Sequence, residues 1–357
     1  MNKAENFIKT HIELGDDHAV ETALAEHQSR GFKGVGQKAI GLALAWAAKT
    51  GRETWVELLI PASCLNEAFV AALGGAAIYG HAGCVARLLA AAPNDQELLG
   101  SALCIAANHG HRECLRLLAN AIDSKEACSA ALQGASLKGH AACVELLIPL
   151  SDPSAQQSRA LWWAILNGHA ECVKLLAPVS ETGSLIEDDA AIVVAARAGS
   201  ADCVEALIPF PRADDDLAKA FSVAAEKGHH ECVRRMLPMV DPTAGDSEAL
   251  RQAANGGRAE CVAMLIPVSD AQAMSAEALR LAARRGAMDC VELLLPASLT
   301  GEANNFGDRA ARAAMERGHH DIARVIEDFA AAQRDRAALA ISTPSGQALV
   351  PSIGKRL

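Results

Sequence analysis

Apolar residues recur along this chain in one short, polar-punctuated pattern. In Gly168-His169-Ala170-Glu171-Cys172-Val173-Lys174-Leu175-Leu176-Ala177-Pro178 they fall at Cys172, Val173, Leu175 and Leu176, with Glu171 and Lys174 between them. That spacing lines one face of a helix of 3.6-residue period. The stretch has close copies at Gly139–Pro149 and Gly228–Val233, and anchor glycines recur at 51, 80, 110, 139, 168, 199, 228, 257, 286 and 318, in steps of 29 to 32 residues. A fainter copy stands upstream, with Gly15 followed by Val20, Ala23 and Leu24. Self-similarity at a fixed period is the signature of stacked repeats.

Each repeat predicts two helices. The first carries a small-large-small pattern, as in Ala160, Leu161 and Ala164, or Ala249, Leu250 and Ala253. Alanine is the best helix former and lets neighbouring helices approach closely. The anchor glycine then ends this helix, where a left-handed residue is usual. The second helix starts with an acid three residues after the glycine (Glu113, Glu171, Asp202, Glu231, Glu260, Asp289, Asp321), which complements the positive end of the helix dipole. Ten residues after the glycine a proline stops it: Pro61, Pro149, Pro178, Pro209, Pro238, Pro267 and Pro296. The turn-rich stretches Ser151-Asp152-Pro153 and Val240-Asp241-Pro242 follow.

The ends depart from the pattern. Ile322 replaces the recurring cysteine, no proline follows, and Glu327, Asp328, Arg334, Asp335 and Arg336 suit a capping repeat with a wet outer face. The expected division is N-terminal capping helices and a glycine-containing loop over 1–41, a repeat array with its C-terminal cap over 42–340, and a disordered tail over 341–357. A continuous stack offers no interior boundary, since each repeat touches only its neighbours.

Length alone would suggest two or three domains for 357 residues, and the repeat overrides that. Aromatics make up only 3% of the chain, so Ala, Leu, Val, Ile and Cys must fill the core. Net charge is −10, which opposes bulk attraction to nucleic acid or anionic membrane. No secretory signal or apolar membrane span is legible. Eight of the eleven cysteines (84, 114, 143, 172, 203, 232, 261, 290) share one repeat position. That is a core column of small hydrophobes, not a disulfide framework, and it points to a reducing, cytoplasmic setting. Cys64, Cys104 and Cys128 lie outside the column and are the thiols open to reaction.

Histidine follows the anchor glycine at 81, 111, 140, 169, 229 and 319. A metal site needs about four converging ligands. One His and one Cys per repeat fall short of that, so the reading is packing or capping, with no metal and no cofactor. Gly31–Gly36 lacks the strand and the Gly-Lys-Ser/Thr of a phosphate cradle and reads as a loop. No hydrolase, metalloprotease or kinase motif appears, so the chain reads as non-enzymatic.

The run Ala106-Ala107-Asn108-His109-Gly110-His111-Arg112-Glu113-Cys114-Leu115-Arg116-Leu117-Leu118 resembles the ankyrin repeat family, over about residues 42–327. Two features differ. Ser101-Ala102-Leu103-Cys104 stands where the family has Thr-Pro-Leu-His, and the period is 29 to 31 in place of about 33. The missing residues fall between repeats and imply a finger reduced to a loop. The expected fold is all-α: an ankyrin-like α-solenoid of about ten to eleven helix-turn-helix repeats.

The resemblance implies a scaffold that binds another protein through the concave face. The chain is expected to be a monomer, to bind no nucleic acid and to insert in no membrane. An alternative is a secreted bacterial effector or toxin whose activity no motif reveals. In the family the two residues before the anchor glycine point into the concave face, and the residue four earlier shares it. The partner-binding residues implied are Tyr79, His109, Lys138, Trp162, Leu166, Arg197, Lys227, Arg251, Arg280, Arg284, Arg285, Arg312 and Arg317. They suggest an apolar anchor near Trp162 and a partner with an acidic segment along Arg280 to Arg317.

Overall fold

A computed structural model describes residues 3–28, 32, 35–63, 67–91, 95–183, 189–210, 214–299 and 304–342. Among the described residues every regular element is helical. The chain divides into two compact units, 1–213 and 214–357. Nearest-neighbour packing lets an array divide between any two repeats.

Unit 1 holds seven helix pairs. They are α1 (Lys3–Leu14) with α2 (Asp17–Gln28), α3 (Gln37–Lys49) with α4 (Glu53–Leu59), α5 (Glu67–Tyr79) with α6 (Ala82–Ala91), and α7 (Gln96–His109) with α8 (Arg112–Ala119). Next come α9 (Lys125–Lys138) with α10 (Ala141–Leu147), α11 (Ala155–Leu166) with α12 (Ala170–Leu176), and α13 (Ala191–Ala198) with α14 (Ala201–Leu207). Unit 2 holds four: α15 (Asp214–Lys227) with α16 (His230–Met236), α17 (Ala244–Gly256) with α18 (Ala259–Leu265), α19 (Ala273–Arg285) with α20 (Met288–Ser298), and α21 (Asn304–Met315) with α22 (His320–Ser342).

Within each unit the odd-numbered helices pack side by side as one layer (the A layer), and from α4 onward the even-numbered ones as another (the B layer). The core lies between them. Cys172, Val173 and Leu176 from the B layer and Leu161 and Ala164 from the A layer are all fully buried, each leucine contributing roughly 1.5–3 kcal/mol. The faint upstream copy is a true pair: Gly15 has φ +72°, and Val20 and Leu24 are buried. Residues 343–357, and residues 31, 33 and 34 of the glycine-containing loop, lie outside the described residues.

Proline ends the B helices by tightening them. Pro61, Pro149, Pro178, Pro238 and Pro267 each sit in a 3-10 turn that continues the helix, where a fixed φ and a missing N–H are tolerated. Pro296 departs from expectation: it lies inside α20, which runs on to Ser298. Among the described residues, three repeats enter their first helix through one left-handed turn, where the shortened period left room only for a loop. Residues 156–158, 245–247 and 274–276 all have φ between +50° and +63°. Regular right-handed helix begins only after each turn, at Arg159 in α11.

Serine hydroxyls near the starts of the first helices link one repeat to the next. The backbone N–H of Asp152 donates to Ser129 Oγ at 3.0 Å, that of Glu181 to Ser158 Oγ at 3.0 Å, and that of Asp270 to Ser247 Oγ at 2.8 Å. No periodicity of apolar residues points to these bonds.

Candidate functional site

The anchor glycine and the following histidine form one device. Gly139 has φ +78°, and a Cβ there would lie 2.5 Å from Nδ1 of His169. Both the backbone conformation and the approaching ring therefore require glycine. The His169 ring lies at that site because its Nε2–H donates to the carbonyl of Leu137, 3.1 Å away in the preceding repeat. His81, His111 and His140 bond the carbonyls of Lys49, Ile78 and Asn108 in the same way, at 2.7 to 3.0 Å. Where arginine replaces histidine, Arg258 Nε–H bonds the carbonyl of Glu226 at 3.1 Å. These side chains are inter-repeat staples.

At the first such position, Arg52 pairs with Glu21 and Asp17 and lies 5.2 Å from the Trp46 ring centre. The indole N–H of Trp46 donates to Asp17 at 2.8 Å. The N-terminal pair is thus fastened by a polar cluster.

With the staples spanning adjacent A helices, the outward face of the A layer is left to the residues nine, six and two before the anchor glycine, except at Gly199, where Ala190 and Val193 are buried. From α3 to α11, where none of these residues is buried, only Lys49 and Arg159 are charged. Apolar groups stand in water there: Leu42 is 42% exposed, Leu166 41% and Ile78 36%; one position before the glycine stand Tyr79, 51% exposed, and in α9 the exposed, charged Lys138. Trp162 packs edge-on against Trp163 at 4.7 Å, and the Lys49 ammonium lies 5.5 Å from the Tyr79 ring centre. Between α3 and α5 a cleft of about 570 Å³ is lined by Gly41, Leu42, Ala45, Ala68 and Ala71, with Lys38 and Glu67 beside them. A Cβ on Gly41 would stand 2.7 Å from that of Ala68, so the helices meet closely at its floor.

Unit 2 reverses this chemistry. At the same three positions in α15, α17 and α19, and in α21 with the turn that follows it, only Ser222 and Asn255 are uncharged. Arg280 makes a two-pronged pair with Glu277, its Nε at 2.7 Å, and this hydrogen bond holds the Glu277 carboxyl below the ordinary carboxylate range. Arg284, Arg285, Arg312 and Arg317 are exposed and form no ion pair or hydrogen bond among the described residues.

Twelve of the thirteen residues implied as partner contacts lie on A-layer helices, and Arg317 lies in the turn after α21. Those from Tyr79 to Arg197 belong to unit 1 and the rest to unit 2. Four are engaged within the chain: Arg197 pairs with Asp189, Lys227 with Glu226 and Arg280 with Glu277, while Arg251 donates to the carbonyls of Gly245 and Asp246 at 2.7 and 3.1 Å. Tyr79, His109, Lys138, Leu166, Arg284, Arg285, Arg312 and Arg317 are exposed, and Trp162 is half-buried. Only a spacing of three residues marks Glu277 and Arg280 as a pair from sequence.

All eight cysteines of the column are buried free thiols. Burial pushes those of Cys84, Cys114, Cys172, Cys203, Cys261 and Cys290 up to about 11. Cys128, expected to be open to reaction, is also buried, and burial raises its thiol as it raises the half-buried Cys104. Neither has the electropositive, exposed surroundings that activate a thiolate. Cys64 lies outside the described residues.

The profile for "Ankyrin repeats (3 copies)" matches residues 73–157, 103–188, 161–246 and 192–275, together more than half the chain. The chain belongs to the ankyrin repeat family. Ankyrin repeats are in general protein–protein interaction modules and non-enzymatic. Among solved structures, the ankyrin repeat domain of human ASB11 is similar: 21% identical, covering 55% of this chain and 96% of that one, with a TM-score of 0.44. No curated protein matches. Among the described residues no helix is long and apolar enough to cross a membrane.

Proposed function

We propose that this chain is a non-enzymatic scaffold that binds a protein partner through the outward face of its A layer. The sparsely charged face from α3 to α11 carries the reading. Apolar groups stand in water along it, Leu42 on α3, Ile78 and Tyr79 on α5, and Leu166 with half-buried Trp162 on α11, as on interaction surfaces, and aromatic anchors are the usual hot spots. In unit 2 the exposed arginines of α19 and α21 suit an acidic segment of a partner, which speeds encounter and sets specificity. The ten described cysteines are free thiols, which supports work in a reducing compartment such as the cytoplasm.

The test compares capture of partners by wild type, by Tyr79→Ala with Trp162→Ala, and by Lys174→Ala as a B-layer control, all with matched helix content. The face variant should lose the partner through faster dissociation, and the control should keep it. Equal capture by all three would overturn the reading.

A further inference from the structure

We propose that a second copy of this chain supplies the acidic surface that the arginines of unit 2 face, in a two-fold antiparallel pairing of the two A layers. The inference rests on the A layer being the partner face and names the partner for its unit 2 part.

Within unit 2 the charges are sorted along the layer. At one end, α15 and α17 present exposed Asp215 and Glu248, which with Glu226 and one exposed cation, Lys219, line a groove of about 330 Å³. At the other end, α19 and α21 present exposed Arg284, Arg285 and Arg312. Opposite charges intervene without reversing this order. Lys227 is paired with Glu226, Arg280 with Glu277, and Arg251 is held by two carbonyls, while Asp308 and Glu316 lie among the arginines.

A surface acidic at one end and basic at the other is complementary to itself when turned around. In a two-fold interface residue i meets j while j meets i, so α15–α17 of each copy would meet α21–α19 of the other. A parallel arrangement would set like charges against each other, and the pattern disfavours it. Four helices roughly 8–10 Å apart, each about 20 Å long, present on the order of 700 Å² per copy. That falls short of the ~800 Å² per partner of a standard stable interface, so the pairing is weak and reversible. The chain's net charge of −10 resists it most at low salt. At physiological ionic strength the screening length is about 8 Å, and only the close, complementary charges still act.

The experiment is sedimentation velocity of the full chain at physiological ionic strength, from micromolar to hundreds of micromolar. Wild type should move from monomer toward dimer as concentration rises. Asp215→Lys with Glu248→Lys should remain monomeric, as should Arg284→Glu with Arg285→Glu. An equimolar mixture of the two should recover the dimer, because each reversed patch then meets its opposite. Helix content by circular dichroism confirms that the variants fold, and Arg312→Glu replaces the second variant if it does not. A wild type that stays monomeric throughout, or a mixture that fails to recover a dimer, overturns the pairing. If wild type stays monomeric yet captures an acidic partner that Arg284→Glu with Arg285→Glu loses, the pairing falls and the partner-face reading stands. If that variant also leaves capture unchanged, the arginine part of the partner face falls as well.

Discussion

Replacing Gly110 by alanine tests whether the staple holds the repeats together. Gly110 has φ +76°, and a Cβ there would lie 2.6 Å from Nδ1 of His140. A left-handed conformation costs an L-residue about 1–2 kcal/mol, offset by about 0.4–1 kcal/mol from a stiffer unfolded chain. The new methyl also expels the His140 ring from its 3.0 Å bond to the Asn108 carbonyl, which is worth about 0.5–1.5 kcal/mol. With the ring's lost packing, Gly110→Ala should cost roughly 2 kcal/mol. His140→Ala loses the same bond and should cost about 1 kcal/mol. In the double variant no ring remains to be expelled, so its cost should fall short of the sum by about 1 kcal/mol. Urea unfolding followed by far-ultraviolet circular dichroism gives the three values, and amide exchange across α7 to α10 locates the loss. Additivity within ~0.3–0.5 kcal/mol would show that glycine and histidine act independently, and the staple would be refuted.

The cysteine column predicts a loss of stability in alkali. The thiols of Cys84 and Cys172 stand at about 11 when folded, against an ordinary 9.0. The folded state therefore holds protons that the unfolded chain releases; stability is full below about pH 9 and falls as pH rises toward about 11. The urea midpoint should drop over that window, and replacing column cysteines by valine should flatten the drop; a profile unchanged by replacement would count against burial as its cause. Ser158→Ala leaves the Glu181 N–H without its 3.0 Å acceptor and should cost about 1–3 kcal/mol, read as faster exchange of that amide; unchanged exchange would mean that the hydroxyl does not hold the turn.

The repeat was legible wherever a residue's role is set inside its own repeat. A glycine at fixed period must end a helix in the left-handed region, and Gly110 and Gly139 do so. Cys172, Val173 and Leu176 follow a helical period and are buried as that period requires. Features that depend on the neighbouring repeat were not legible. Gln156, Gln157 and Ser158 are ordinary residues whose left-handed turn nothing in their composition announces, and the bond from Ser158 to Glu181 spans 23 residues. The histidines were readable as packing groups, but their acceptors are backbone carbonyls, and a carbonyl leaves no mark in a sequence. Cys128 looked reactive only because it lies outside the column, yet its position in α9 is buried.

The same division explains why the partner face is the least determined part of the chain. Stacking fixes the glycine, the staple, the alanines between layers and the cysteine column, so these recur. Outside α13, where Val193 is buried, the residues six and two before the glycine face away from the core, and stacking does not specify them. They run from Gly74 and Ile78 to Trp162 and Leu166, and then to Arg280 and Arg284. Because each repeat contributes its own outward residues to an otherwise constant layer, a sparsely charged face in unit 1 and a charge-sorted face in unit 2 can be carried by one repeat without disturbing its core. Such surfaces differ by partner and not by fold, so the residues that break the repeat's periodicity are the ones to change first when binding is measured.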